Sequence, residues 1–253
     1  MGNKRTVKKV VEERWNKKAE VGRVVNPKFQ SEVRPPVRAK TPVQEEFLNA
    51  LKQYDVVLFQ APAGVGKSFL TMSEASDWLK KGQIDKITLT RPVIPMGRSL
   101  GMLPSTLQQK FEPYLMPLLE VLWKRYGKSY YESCLHDGTI ELLAPEYARG
   151  RSVEGCMIID ECQSMYPSEL YTMLTRMEDG AKLILIGDDS GHQTDIKGEN
   201  AITWLKCFVE NNPELQKHIK IVEATSEDIV RSGLTKAMVK AREKENKKES
   251  NIG

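Results

Sequence analysis

The fold of this chain is decided by the stretch Val56-Val57-Leu58-Phe59-Gln60-Ala61-Pro62-Ala63-Gly64-Val65-Gly66-Lys67-Ser68-Phe69-Leu70. It begins with a continuous apolar run, passes through a loop of small residues, and continues with apolar residues at helical spacing. This order predicts a strand, a loop and a helix. Such a loop offers successive backbone N–H groups to phosphate oxygens, and the helix that follows adds the positive end of its dipole. The stretch therefore predicts a phosphate-binding loop.

Two side chains of this loop suit the chemistry of a nucleoside triphosphate. Lys67 is expected to reach the β- and γ-phosphates, and the Ser68 hydroxyl is expected to bind Mg²⁺. The residues expected to surround the phosphates are Pro62, Ala63, Gly64, Val65, Gly66, Lys67, Ser68 and Phe69. Ala61 occupies the place where the P-loop pattern usually has its first Gly, and we expect it to be tolerated because a negative φ angle suits alanine.

Length and composition are those of a globular protein. The chain has 253 residues, of which 40% are hydrophobic and 28% charged, as is usual for soluble domains. We find no apolar run near the roughly 20 residues of a membrane span, and the basic N-terminus precedes no apolar signal core. We therefore expect a cytoplasmic protein with no membrane partner.

Positive charge is concentrated at the N-terminus. Residues 1–40 contain twelve Lys or Arg against four Glu, a balance of +8, whereas the rest of the chain balances to −4. This arm either contacts nucleic acid, since Lys and Arg release counterions from phosphates, or is a solvated tail that aids solubility. We predict a basic arm and linker over residues 1–40, one domain over residues 41–242, and a frayed polar tail over residues 243–253.

Strands and helices alternate along the predicted domain. We predict a strand from Val56 and further strands over residues 86–91, 138–143, 156–159, 182–186 and 219–222. We predict helices over residues 4–16, from Pro42, and over residues 67–81, 107–118, 118–126, 167–177, 200–210 and 226–240. This alternation predicts an α/β fold with a doubly wound, mainly parallel sheet and helices on both faces.

Acidic residues follow two fully apolar strands. Asp160 and Glu161 come directly after one of them, and Asp188 follows the other. Because parallel sheets place ligands at the carboxyl ends of their strands, we expect these groups beside the phosphate-binding loop. Asp160 suits Mg²⁺ together with Ser68, and Glu161 suits the attacking water. Asp188 either senses the γ-phosphate or only forms a turn.

A set of segments, in this order and spacing, resembles the PhoH-like family of phosphate-starvation-associated P-loop ATPases. The segments are Thr41-Pro42-Val43-Gln44, the loop over residues 61–68, Leu89-Thr90-Arg91-Pro92, Leu100-Gly101-Met102-Leu103-Pro104, Tyr147-Ala148-Arg149-Gly150-Arg151, Ile158-Ile159-Asp160-Glu161-Cys162-Gln163, Leu174-Thr175-Arg176 and Ile186-Gly187-Asp188. The resemblance covers roughly residues 41–241. It implies a RecA-like core similar to the first motor half of superfamily-one helicases, and the compact length fits members from bacteriophages.

The resemblance also implies cofactors, partners and roles. The cofactors are ATP and Mg²⁺, and the partner is single-stranded RNA or DNA. Gln44 stands where such proteins contact the adenine, although it could also be an exposed helix residue. Candidates for phosphate contacts are Arg91, Arg149, Arg151, Arg176 and Arg231, and one of them is expected to be an arginine finger that reaches the nucleotide of a neighbouring subunit. Arg231 matches the late arginine of the family and is the candidate catalytic arginine. Because no second motor half follows, we expect a homo-oligomeric ring such as a hexamer.

Two points leave the function open. The family has a Gln two residues after the Gly-Asp of its fourth main strand, whereas here Gln193 comes later, so its role is not assigned. Besides a nucleic-acid-coupled ATPase, the sequence is compatible with a P-loop kinase and with a nucleotide-gated binding module that hydrolyses slowly. The adjacent Asp160 and Glu161 favour water as the nucleophile over a kinase acceptor.

Overall fold

Six parallel strands form the centre of the fold in this computed structural model, which describes residues 34–92, 107–148, 150–189 and 196–250. The strands are β1 (Val56–Gln60), β2 (Ile87–Thr90), β3 (Ile140–Leu142), β4 (Cys156–Ile159), β5 (Lys182–Gly187) and β6 (Ile219–Glu223). Their order across the sheet is β3-β2-β4-β5-β1-β6. The predicted α/β fold with a parallel sheet is confirmed.

The strand order places β5 between β1 and β4. Gln60 at the end of β1 lies opposite Gly187, and Ile159 at the end of β4 lies opposite Leu185. The three central strands are therefore nearly in step, and their carboxyl ends meet at one edge of the sheet. The loops that leave this edge contain the predicted phosphate-binding loop after β1, Asp160 and Glu161 after β4, and Asp188 after β5.

Helices cover both faces of the sheet. They are α1 (Pro42–Gln53), α2 (Lys67–Lys80), α3 (Leu107–Tyr126), α4 (Lys128–His136), α5 (Pro145–Ala148), α6 (Pro167–Leu174), α7 (Ala201–Glu210) and α8 (Gly233–Ser250). One apolar core packs α1 to α4 against the sheet, and a second core packs α5 to α7 against the other face. Because both faces are covered, β4 and β5 are buried along their whole length and consist of nearly uninterrupted apolar residues.

Local signals fix the ends of the first two helices. Thr41 is the N-cap of α1, where its hydroxyl accepts a hydrogen bond from the Gln44 N–H, and Pro42 follows it in the first turn. Gly82 adopts a φ of +68° just after α2, a conformation that glycine takes at little cost. These boundaries agree with the sequence prediction.

The region between β2 and β3 differs from the prediction. Residues 107–126 form one helix, α3, rather than two, although Pro113 and Pro117 lie inside it. Leu115, Leu118 and Leu122 are fully buried on one face of this helix, and their burial outweighs the backbone hydrogen bonds that the prolines remove. Helix α4 was not predicted. Gly127 joins the two helices with a φ of +86°.

The C-terminal region was predicted as one helix over residues 226–240 followed by a frayed tail. It instead contains a short 3₁₀ turn, Ser226–Asp228, then an extended segment, and then α8, which continues through Ser250. The break occurs where the Val230 N–H donates a hydrogen bond to the carbonyl of Gly64. Good helix-forming residues and the Arg242–Glu245 ion pair support the last turns of α8.

The end of the predicted linker lies on the domain. Val37 and Ala39 pack against the first core, and the Arg34 side chain donates a hydrogen bond to the Arg125 carbonyl at 2.9 Å. The predicted helix over residues 4–16, Arg149 and Gln193 lie outside the described residues. Among the described helices, none combines the length and apolar character that crossing a bilayer requires.

Candidate functional site

The loop after β1 has the backbone of a phosphate-binding loop. Gly64 and Gly66 adopt φ angles of +90° and +99°, which only glycine takes without strain, and α2 begins directly afterwards at Lys67. Ala61 does not share this conformation, since within the described ranges Glu161 is the one non-glycine residue with a positive φ. The Ala61 N–H donates to the Gly187 carbonyl at 3.0 Å. Alanine therefore fits this place, as expected.

The C-terminal segment packs directly on this loop. A Cβ atom added to Gly64 would lie 3.0 Å from Thr235 Cγ2, 3.1 Å from Arg231 Cβ and 3.1 Å from Ile229 Cγ2. The Val230 N–H donates to the Gly64 carbonyl at 3.1 Å. Arg231 is thus exposed beside the phosphate-binding loop of its own chain. The sequence pattern did not predict this contact, since it joins residues more than 160 positions apart.

Lys67 lies over the loop that precedes it. Its ammonium group donates hydrogen bonds to the carbonyls of Ala61 and Pro62, the latter at 3.2 Å. Burial lowers the pKa of Lys67, and the nearby carboxylates of Asp188, Glu161 and Asp160 oppose that shift. The predicted cation and the predicted acidic groups therefore share one site.

Asp160 is a buried carboxyl group at the end of β4, with 3% of its surface exposed. Burial, and to a smaller extent the neighbouring Glu161 carboxylate, raise its pKa to about 6, and Arg91 and Lys67 act in the opposite direction. One carboxylate oxygen accepts a hydrogen bond from the Glu161 N–H at 3.1 Å. A buried carboxyl beside a second carboxyl is a favourable place for a divalent cation, because the cation offsets both the burial and the repulsion.

Glu161 stands in a strained backbone conformation. Its φ and ψ of 53° and 42° are left-handed, which costs a non-glycine residue about 1–2 kcal/mol. Its Oε2 atom accepts a hydrogen bond from Gln163 Nε2 at 2.6 Å. Gln163 Oε1 in turn accepts one from the Asp188 N–H at 3.1 Å. Strained residues of this kind cluster at functional sites.

Arg91, at the end of β2, pairs with the acidic residues. Its guanidinium nitrogens lie 3.6 Å from Asp160 Oδ2 and 3.6 Å from Glu161 Oε1, and it also donates to the Tyr114 carbonyl at 3.1 Å. The sequence predicted a phosphate contact for Arg91. The structure brings it to the same edge of the sheet as Lys67, on the side of the acidic pair.

Gln44 is buried and braces the phosphate-binding loop, so it is not an exposed helix residue. Only 2% of its surface is exposed. Its Nε2 donates to the Val65 carbonyl at 2.7 Å, and its Oε1 accepts from the Lys40 N–H at 2.7 Å. The amide thus links α1, the end of the linker and the loop.

The other predicted residues fall into two groups. Asp188 is buried at the end of β5 beside this site, and Phe69 is half exposed in the first turn of α2. Arg151, in contrast, pairs with Glu141 on the outer strand β3, and Arg176 is exposed after α6. The structure does not bring Arg151 to the loop.

The donor set fits Mg²⁺ bound together with a nucleotide. Mg²⁺ commonly takes one or two protein oxygen ligands and completes its coordination with phosphates and water. Asp160 supplies a buried carboxylate and Ser68 a hydroxyl in the first turn of α2. Within the described ranges, no cluster of three His, Cys, Asp or Glu residues is placed to hold a metal without a nucleotide.

Gln163 is the residue of the site that the sequence interpretation missed. Gln163 ends the segment Ile158–Gln163 that resembles the family, but the sequence predicted no role for it. A signal was available, since a glutamine three residues after the Asp160 that ends a buried strand, within a mostly apolar stretch, requires buried hydrogen-bond partners.

The parallel sheet, the loop with its two left-handed glycines, and the acidic residues at the same edge define a protein of the P-loop NTPase class. The chain belongs to the PhoH-like family, since a profile described as "PhoH-like protein" matches residues 36–243.

Individual relatives agree with this assignment. The chain is 37% identical over 215 residues to the PhoH-like protein of Bacillus subtilis, covering 83% of this chain and 65% of that protein. It is 31% identical over 202 residues to Protein PhoH of Escherichia coli, covering 79% of this chain and 56% of that protein. The chain thus spans somewhat under two thirds of the length of these relatives, both bacterial; a bacteriophage source stays a prediction.

Among solved structures, the large terminase of a thermophilic bacteriophage is similar in fold. Its TM-score is 0.51 at 15% identity, covering 78% of this chain and 49% of the terminase. At this identity the similarity concerns the fold.

The close packing of Gly64 yields a first prediction. We expect Gly64→Ala to lower the free energy of unfolding by more than Gly82→Ala does. Both substitutions place alanine at a positive φ, which costs about 1–2 kcal/mol. Only the first also forces a methyl group against Ile229, Arg231 and Thr235, an overpacking worth about 1–3 kcal/mol more.

Urea denaturation of the wild type and both variants measures these costs. Gly82→Ala is the matched control, because nothing lies within 4 Å of its added Cβ. Equal destabilisation by the two substitutions would contradict the packing of the C-terminal segment on the loop.

Proposed function

We propose that this protein binds ATP with Mg²⁺, hydrolyses it, and couples hydrolysis to single-stranded nucleic acid as a homo-oligomer. The observation that supports hydrolysis most strongly is that Lys67 lies near three carboxylates, those of Asp160, Glu161 and Asp188. Each of them is close enough to raise the pKa of Lys67. Phosphoryl transfer needs positioning and charge stabilisation at the γ-phosphate more than covalent chemistry. Lys67, the pair Asp160 and Glu161, and the N–H groups of the loop would supply this positioning and charge stabilisation.

Each residue has a role in this proposal. The backbone from Pro62 to Phe69 surrounds the phosphates, and Lys67 exchanges its carbonyl partners for phosphate oxygens. Ser68 and Asp160 would hold Mg²⁺, which would neutralise charge on the phosphates. Glu161 orients the attacking water and accepts its proton.

Two further residues complete the proposed site. Asp188 responds to the γ-phosphate at the end of β5. Arg231 serves as the catalytic arginine, and its position beside Gly64 supports a contact with a nucleotide bound in its own chain.

We expect Lys67→Ala and Glu161→Gln to separate binding from hydrolysis. Lys67→Ala should weaken ATP binding at least tenfold and abolish turnover, because it removes the cation from the phosphates. Glu161→Gln should keep ATP affinity within about threefold and lower kcat at least about a hundredfold, because it removes only the base. Steady-state phosphate release and binding of a fluorescent ATP analogue measure the two effects.

The exposed Lys124–Glu120 pair on α3 provides matched controls. Lys124→Ala and Glu120→Gln carry the same substitutions away from the site and should behave as the wild type. Wild-type turnover in Lys67→Ala would rule out the assignment of the loop.

The contacts of Gln44 allow its proposed adenine contact to be tested against bracing of the loop. The bonds to Lys40 and Val65 use one lone pair of Oε1 and one N–H of Nε2, so a second lone pair and a second N–H remain for the base. If Gln44 contacts adenine, Gln44→Ala should weaken ATP binding at least tenfold and leave GTP binding nearly unchanged. Equal weakening of both nucleotides, measured by competition with a fluorescent analogue, would assign Gln44 to bracing alone.

The basic arm and the family membership support coupling to single-stranded nucleic acid. We expect single-stranded RNA or DNA to raise ATP turnover severalfold, and the substitutions Lys4→Gln, Arg5→Gln and Lys8→Gln together to reduce that stimulation and its salt dependence. Neutralising the exposed Lys124, Lys128 and Lys217 is the control, because it removes the same charge elsewhere.

Equal stimulation of the two triple variants would reduce the arm to a solubilising tail. Turnover that no nucleic acid stimulates would favour the slow, nucleotide-gated binding module. Mass photometry of the same samples with ATP and Mg²⁺ tests the oligomer, and a population of monomers alone would contradict it.

A further inference from the structure

A buried glutamine joins the ends of the two central strands that carry acidic residues. Gln163 has 1% of its surface exposed and lies in the 3₁₀ turn Cys162–Ser164. Its Nε2 donates to Glu161 Oε2 at 2.6 Å, and its Oε1 accepts from the Asp188 N–H at 3.1 Å. An amide has a donor at one end and an acceptor at the other, so one orientation of Gln163 satisfies both partners and the flipped orientation satisfies neither.

The backbone on both sides of Gln163 is shaped to allow this link. A Cβ atom added to Gly187 would lie 2.6 Å from Gln163 Oε1 and 2.9 Å from Cys162 Sγ. Only glycine at this position of β5 therefore leaves room for the amide. On the other side, the left-handed turn at Glu161 begins the 3₁₀ turn that carries Gln163. The left-handed turn at Glu161 and the close approach at Gly187 both allow Gln163 to form its two hydrogen bonds.

We propose that Gln163 is a positioning residue that couples the phosphate-facing end of β5 to the carboxylate of Glu161. The inference rests on the proposed hydrolysis of ATP. Gln163 holds one oxygen of Glu161, and the other oxygen, Oε1, lies 3.6 Å from an Arg91 guanidinium nitrogen. This second oxygen is the one left to orient the attacking water in the proposed function. A nucleotide that displaces the backbone at Asp188 moves the amide and, through it, the carboxylate. Gln163 itself contacts no reacting atom.

Because Gln163 acts through Glu161, its loss should change the rate of the chemical step rather than binding. Gln163→Met keeps the length and volume of the side chain but removes both hydrogen bonds. We expect kcat to fall at least tenfold, while KM and the Kd of a non-hydrolysable ATP analogue stay within about twofold of the wild type. Gln216→Met is the control, since the Gln216 amide bonds to the Val209 carbonyl at the far end of α7.

A double-mutant cycle distinguishes positioning from general damage. In the Glu161→Gln background the carboxylate is already absent, so adding Gln163→Met should change the residual turnover by less than about twofold. The same tenfold loss in both backgrounds would overturn the proposal, because it would show that Gln163 acts independently of Glu161.

A second variant keeps the proposal testable if Gln163→Met does not fold. Gln163→Asn keeps the amide but is one methylene shorter and cannot span both partners, so it should show the same loss of kcat with KM retained. Weakened nucleotide binding in parallel with kcat, or failure of both variants to fold, would assign Gln163 a structural role and overturn the proposal. Wild-type kcat in Gln163→Met would also overturn it, whereas absence of turnover in the wild type would instead contradict the proposed function.

Discussion

The candidate site depends on the position of β5 between β1 and β4. Neighbouring strands lie about 4.8 Å apart, so the strand with the phosphate-binding loop and the strand that ends in Asp160 are about 10 Å apart. In the proposed function, a terminal phosphate and a water molecule would occupy the space between these two strand ends. If β1 and β4 were neighbours, the cation and the acidic pair would neutralise each other directly. The strand order thus creates the space in which the proposed chemistry occurs.

Keeping Lys67 and Asp160 charged inside the site costs free energy when no ligand is bound. Burial lowers the pKa of Lys67 and raises that of Asp160, so both groups are less stable in their charged forms than they would be in water. Arg91 and the carbonyls of the loop partly compensate. A nucleotide phosphate and a divalent cation would supply the missing partners. Because the protein already holds these charges in place, they would contribute to the binding of a nucleotide and a cation without further rearrangement.

The parts of the fold that the sequence predicted are those set by local interactions. The strand, loop and first turn of α2, the cap at Thr41, and the apolar strands β4 and β5 depend on neighbouring residues. The two prolines of α3 made the sequence look like two helices. A single helix forms because its leucines are buried by packing against α2 and α4, which the sequence pattern does not show. The bracing by Gln44 and the link through Gln163 were missed for the same reason. Each joins residues that are distant in the chain, and although a glutamine in a buried segment indicates that partners exist, it does not indicate which residues they are.

The C-terminal segment shows how such a distant contact changes the interpretation of a helix. The sequence predicted one helix over residues 226–240 and a frayed polar tail, yet the chain breaks at Val230, whose N–H donates a hydrogen bond to the Gly64 carbonyl. The break directs Ile229 and Thr235 onto Gly64, while α8 projects Leu234 and Met238 into solvent at 73% and 64% exposure. The start of α8 is thereby tied to the phosphate-binding loop, since Thr235 packs on Gly64 and Val230, just before the helix, donates a hydrogen bond to the Gly64 carbonyl.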